Sequence, residues 1–174
     1  MTDQCSMVTV RTRIAFLAAV VTQETFDRLL PIACEWAKAQ EQLILQRGAP
    51  LTERYAEDAA RIGVRDVGRV RVLIVDKIPM PDDVDLAEAA SQAQIITHTS
   101  RCVAIGHGIF VRADAWGDRE LILHNLMHVA QCERCGDIDS YLRAYLCDRH
   151  NCSHFTAGSF EEEARRIARE LCAA

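Results

Sequence analysis

The chain has 174 residues, 49% hydrophobic and 26% charged, with a formal net charge of −5, values that suit one globular domain with a sizeable core. The acidic balance argues against a broad nucleic-acid footprint. The apolar run from Ile14 to Val21 falls far short of the roughly 20 residues a membrane span needs, and no small-residue cleavage site follows it, so the chain is expected to be cytoplasmic.

Taken in order, residues 1–12 read as a flexible leader, and 13–174 as a single domain. Phe26, Leu29, Leu30, Ala33, Trp36, Ala37 and Gln40 recur at three and four, the spacing of a helix over about 13–47. Pro31 is expected to kink or divide it, and Gly48-Ala49-Pro50 to stop it. Thr52 can cap a helix over 53–62 that Gly63 ends. Arg69 to Val75 is β-branched and partly alternating, a strand. An Ala-rich helix over 83–93 follows. Residues 102–105 and 108–111 read as a second strand or hairpin bent near Gly106 and Gly108. Asp118 can cap a helix over 119–135 closed by Gly136. Asp139 or Ser140 opens another through Leu146. The stretch 147–158 reads as irregular, and Ser159 can cap a last helix whose first turn is acidic. Helices around a small sheet make an α+β architecture.

The helix at 119–135 carries the main chemical signal. At about 100° per residue, His124, His128, Gln131, Cys132 and Cys135 share one face. Ile122, Leu126 and Val129 lie opposite, and Leu121, Leu123, Met127 and Ala130 fill the flanks, so the helix is apolar almost all round and buried. Unpaired polar groups in a core cost about 1–3 kcal/mol each, so the stripe of two imidazoles and an amide needs partners. A pair of core histidines bonded to backbone or carboxylates is one explanation. A metal is the other, because imidazoles one turn apart can both reach a zinc ion at about 2.0–2.1 Å. The third ligand would come from Phe160-Glu161-Glu162-Glu163-Ala164, although an acidic first turn also suits the helix dipole.

These segments together resemble small bacterial zinc-metallopeptidase-like proteins of the gluzincin type. The residues that carry the resemblance are Gly106-His107-Gly108-Ile109-Phe110-Val111, Trp116-Gly117-Asp118-Arg119, His124 with His128-Val129-Ala130-Gln131, Tyr141 to Leu146, and Phe160 to Ala164. The resemblance covers roughly residues 64–168. The resemblance implies a zincin-like (minigluzincin) arrangement and a zinc held by His124, His128 and Glu161, with Glu163 as the rival third ligand. It also implies an edge strand within 103–111 beside the cleft. His107 there is a candidate for contacting substrate or an oxyanion, or is simply a turn residue.

The sequence departs from that family in two places. Where the family has a Glu after the first His, the general base that takes a proton from the attacking water, this chain has Asn125. A neutral amide cannot accept that proton. The second departure is Cys132-x2-Cys135 followed by Cys147-x4-Cys152, with His150 and His154 interleaved. That is compatible with a second tetrahedral zinc or a CxxC redox pair, or with incidental small residues in a chain of eight cysteines. Cys132 also shares the face of the histidines, so the ligand set could have moved towards sulfur. The expected function is a zinc-binding metallopeptidase-like domain, its peptidase activity degenerate or strongly reduced, that binds a peptide or protein partner, with no nucleic acid and no membrane involved. The alternatives are a working zinc hydrolase that recruits another base, such as Glu161 or Glu163, and a metal-free structural or interaction protein.

Overall fold

The computed structural model describes residues 22–149 and 159–173. Thr22 caps the first helix, α1 (Gln23–Arg47), by accepting from the Thr25 N–H at 3.2 Å, and α1 continues through Pro31 rather than dividing there. The proposed helical residues 13–21 and the leader lie outside the described residues. Ala49–Pro50 form a two-residue strand, β1, that the sequence reading took only as a stop signal. Thr52 caps α2 (Glu53–Ile62), and Gly63 ends it in the left-handed conformation. After a 3-10 turn at Val67–Arg69 comes β2 (Arg71–Val75). Asp83 caps α3 (Val84–Gln92). Next come β3 (Cys102–Ile105), β4 (Gly108–Arg112) and a 3-10 turn at Ala113–Ala115. Asp118 caps α4 (Arg119–Cys135).

The next helix, α5 (Ile138–Arg149), starts before Asp139 and runs past Leu146. Its opening side chain is Asp137, which accepts from the Ser140 N–H at 2.7 Å, so the cap sits two residues before Asp139. Ser159 caps α6 (Phe160–Ala173) through the Glu162 N–H. Among the described residues no helix is long and apolar enough to cross a membrane.

The strands form one mixed sheet in the order β1-β2-β4-β3. β1 runs antiparallel to β2, β2 parallel to β4, and β4 antiparallel to β3. The β3–β4 hairpin turns on Gly106 and His107, with Ile105 paired to Gly108. Of the two turn residues only Gly106 has positive φ, at 58°, as a Gly-first hairpin turn requires. Gly108 is required for a different reason: a Cβ there would meet Ile44 of α1 at 2.7 Å. The helix thus lies directly on the hairpin.

β4 is central, with Ile109, Phe110 and Val111 all buried, and both faces of the sheet are covered. Val72, Ile109 and Val111 join α2, α4 and α6 in one core cluster, while Phe110 joins α1 and α5 in another. Helix α4 touches both, which explains why it is apolar nearly all round. Ile122, Leu123, Leu126 and Val129 are fully buried. Over the described residues the chain is therefore mostly helical with a small mixed sheet, the α+β class expected. β3 is an edge strand, and α4 packs against it.

Candidate metal centre

Helix α6 packs along α4 through its smallest residues. Ala164 and Ala168 are buried against the core, and Glu161 lies on the same face at the helical spacing of three and seven. The close approach allowed by two alanines brings the Glu161 carboxylate onto the histidine stripe. His124 Nε2 and His128 Nε2 are 3.0 Å apart. Glu161 Oε2 is 3.4 Å from His124 Nε2, and Glu161 Oε1 is 3.3 Å from His128 Nε2. Four-coordinate zinc with bonds of about 2.0–2.1 Å has ligand–ligand edges of about 3.3 Å. Each nitrogen thus faces a different oxygen of one carboxylate at about such an edge length, and one donor atom from each of the three residues lies within 4.8 Å of the other two. Among the described residues this is the one group of three or more His, Cys, Asp or Glu side chains placed to hold a metal ion.

Neighbouring side chains prepare the donors. Gln131 is fully buried, and its Nε2 donates to the Phe160 carbonyl at 2.8 Å and to Glu163 at 2.9 Å. Its Oε1 is thereby fixed as the acceptor for His128 Nδ1–H, at 2.7 Å. With the proton held on Nδ1, the Nε2 lone pair of His128 faces the site, the tautomer that ligation needs. Tyr141 Oη lies 3.2 Å from the same Nδ1. Tyr145 donates to Glu161 Oε1 at 2.6 Å and holds the carboxylate in place. Burial pushes the Glu161 carboxyl up, but the neighbouring His124 and His128 imidazoles and the Tyr145 hydroxyl outweigh it, and the group stays well below the usual carboxylate range.

Glu163, the rival third ligand, is not in the group. It pairs with Gln131 and with Arg134 and serves to orient Gln131. The Gln131 arrangement gives a first prediction. Gln131→Leu keeps the helix apolar but releases His128, and metal affinity should fall about 10- to 100-fold, as read by competition with a chelator of known affinity. Unchanged affinity would contradict the orienting role.

Asn125 is buried beside the group, and its Nδ2 donates to the Leu121 carbonyl at 2.9 Å. Both histidines, Asn125, Tyr145 and Glu161 line a cavity of about 480 Å³ between α1, α3, β3 and α5.

The structure places His107 elsewhere. It sits in the hairpin turn between two buried carboxylates, with Nε2–H donating to Glu133 at 3.0 Å and Nδ1 3.5 Å from Glu41. The Glu41 carboxylate also accepts the His107 backbone N–H, and Glu133 accepts the N–H groups of Arg65 and Asp66. His107 is thus a clamp joining α1, the hairpin and the end of α4, and it is absent from the cavity lining. Both ring nitrogens are directed at carboxylates, which leaves neither one for a substrate or an oxyanion.

Hydrogen bonding to Glu41, opposed by burial and aided by Glu133, raises the His107 pKa above its ordinary 6.5. Burial raises both carboxyls, but bonds from His107 and backbone N–H groups leave Glu41 and Glu133 below their ordinary 4.5. The imidazolium contribution is therefore complete below pH 6.5 and fades as pH rises through the raised native value. The carboxylate contributions are present above pH 4.5 and fade as pH falls through the depressed native values. His107→Gln should cost about 2 kcal/mol near pH 6 and progressively less above neutrality, measured by urea unfolding across pH. A penalty independent of pH would contradict the clamp.

The cysteines do not build a second ligand group among the described residues. Cys132, Cys135 and Cys147 fail to gather into a metal-holding set, and Cys152, His150 and His154 lie outside the described residues. Burial pushes the Cys132 thiol up to about 12 and raises Cys135 as well, so neither is poised as the thiolate that zinc or redox exchange uses. Cys132 belongs to the apolar cluster with Phe110 and Ile138, so the ligand set has not moved to sulfur. Comparisons with protein-family models, with curated proteins and with solved structures find no match for this chain.

Proposed function

We propose that the chain is a zinc-binding protein with a gluzincin-like, minigluzincin arrangement, in which peptidase chemistry is strongly reduced and a peptide-binding role remains. The observation that carries the reading is the convergence of His124 Nε2 and His128 Nε2, 3.0 Å apart, on the Glu161 carboxylate, whose two oxygens lie 3.4 and 3.3 Å from them. The donor set supports zinc: two imidazoles and one carboxylate, with a cavity on the open side, is the pattern of a site that keeps a position for water or a ligand. The helix carrying both histidines packs against an edge strand, and the third donor comes from a later helix. That order agrees with the resemblance in the sequence.

Bound zinc would supply Lewis acidity and bring the pKa of water to about 7. This chain's residues hold the ion, orient one imidazole through Gln131 and fix the carboxylate through Tyr145. None of them is placed to take the proton. Asn125 is a neutral amide, Glu161 is among the ligands, and Glu163 is tied to Gln131 and Arg134. These occupied carboxylates weigh against a working hydrolase that recruits another base. The ordered convergence of three donors weighs against a metal-free interaction protein.

Elemental analysis tests the reading. Protein purified without chelator should carry one zinc per chain, and Glu161→Gln should reduce that content while Glu163→Gln retains it. A chain without zinc, or equal loss in both variants, would overturn it.

A further inference from the structure

The metal group forms one wall of the cavity, and the remaining walls are mostly apolar. Leu29, Leu30 and Trp36 of α1 and Leu86 of α3 face it, and Val103 and Ile105 of β3 close one side. Its volume of about 480 Å³ lies within the range of about 300–1,000 Å³ in which compact ligands are held.

Three observations limit what can enter. The first is charge. A divalent ion bound by two neutral imidazoles and one carboxylate keeps a positive excess. Arg165 lines the same cavity, with its guanidinium 3.7 Å from Glu161. The wall therefore favours an anion. The second is Asn125. A Glu at that position would set a negative charge against an incoming anion, whereas the amide presents none. The third is β3. Its inner side pairs with β4, and among the described residues no strand pairs with its outer side. Because β3 lines the cavity, an extended backbone could pair with that edge while its last side chain enters the apolar space.

Resting on the metal centre proposed above, we infer that the site captures the free C-terminal carboxylate of a peptide ending in large apolar residues. The carboxylate sits at the metal and Arg165, the terminal side chain fills the cavity, and the preceding backbone extends along the outer edge of β3. An apolar carboxylate could also come from a fatty acid. The open strand edge favours the peptide, because a fatty acid has no backbone to pair with it.

Calorimetric titration of the full chain, with zinc content measured on the same sample, tests this. The probes are an N-acetylated tetrapeptide ending in Leu-Leu with a free carboxylate, its C-terminal amide, the same peptide ending in Ala, and decanoate. The acid should bind, and the amide should bind about 10- to 100-fold more weakly, the worth of hydrogen bonds to a charged group. Replacing the last Leu by Ala removes three carbons and should weaken binding by on the order of 50-fold. Decanoate should bind more weakly than the acid peptide. Arg165→Gln, at an exposed position that folding tolerates, should weaken the acid by up to about fivefold and leave the amide unchanged.

Zinc-loaded protein that binds acid and amide alike, or binds neither, overturns the inference and leaves the metal centre standing. Decanoate binding as tight as the acid peptide overturns the peptide assignment. Protein without zinc overturns the metal centre and this inference together.

Discussion

Asn125→Glu should turn the weak or inactive site proposed here into a measurable peptidase. The substitution places a carboxylate one residue after His124, where the attacking water would be deprotonated. A positioned general base is worth about 10²- to 10⁴-fold in rate, so cleavage of an unbiased peptide library should rise by at least about 100-fold over wild type at neutral pH. Position 125 is only 3% exposed and borders the cavity, so the new carboxylate would be in a partly desolvated setting that raises its pKa towards the working range. Zinc content measured alongside separates a chemical failure from a folding failure. Wild-type cleavage as fast as that of the variant would show that another base operates and that Asn125 is not the defect.

Chelation should destabilise the wild type and leave the double variant His124→Ala, His128→Ala indifferent. The two histidines belong to α4 and Glu161 to α6, so an ion bound by all three cross-links two helices of one core. A ligand present at about 1,000 times its dissociation constant adds about 4 kcal/mol to stability. For a domain of this size each kcal/mol moves the midpoint by about 2–4 °C, so chelation should lower it by about 10 °C. The double variant should melt near the chelated wild type, with or without chelator. A wild-type midpoint that chelator does not move would contradict the cross-link.

Much of this site could be read from the chain before any geometry was known, because its signal is local. Two histidines four apart on a helix that is otherwise apolar all round are conspicuous, since buried polar groups require partners. The acidic start of the last helix offered the third donor, and the resemblance, rather than the spacing, chose Glu161 over Glu163. In the fold that choice depends on Ala164 and Ala168, which bring the Glu161 face against α4. Caps made by a single side chain, Thr52, Asp118 and Ser159, were legible for the same local reason.

What was not legible depends on distant partners. The role of His107 follows from Glu41 and Glu133, which lie 66 and 26 residues away, and no spacing rule links them. Tyr145 reaches Glu161 only because α5 and α6 converge, and its position within an ordinary helical pattern gave no hint of that. The start of α5 was misplaced because Asp137 and Asp139 are both good caps, and only the path of the chain after Gly136 selects the first. The cysteine spacing suggested a second site, yet Cys132 packs in the core among apolar neighbours. Spacing alone cannot tell a ligand from a small buried residue.

The most direct measurement of the central claim is a crystal structure of the chain with anomalous data collected on both sides of the zinc absorption edge. The account predicts one strong anomalous peak that appears only above the edge, about 2.0–2.2 Å from His124 Nε2, His128 Nε2 and a Glu161 oxygen. A zinc-grown crystal with no peak there, or with its peak at the cysteine sulfurs instead, would contradict it.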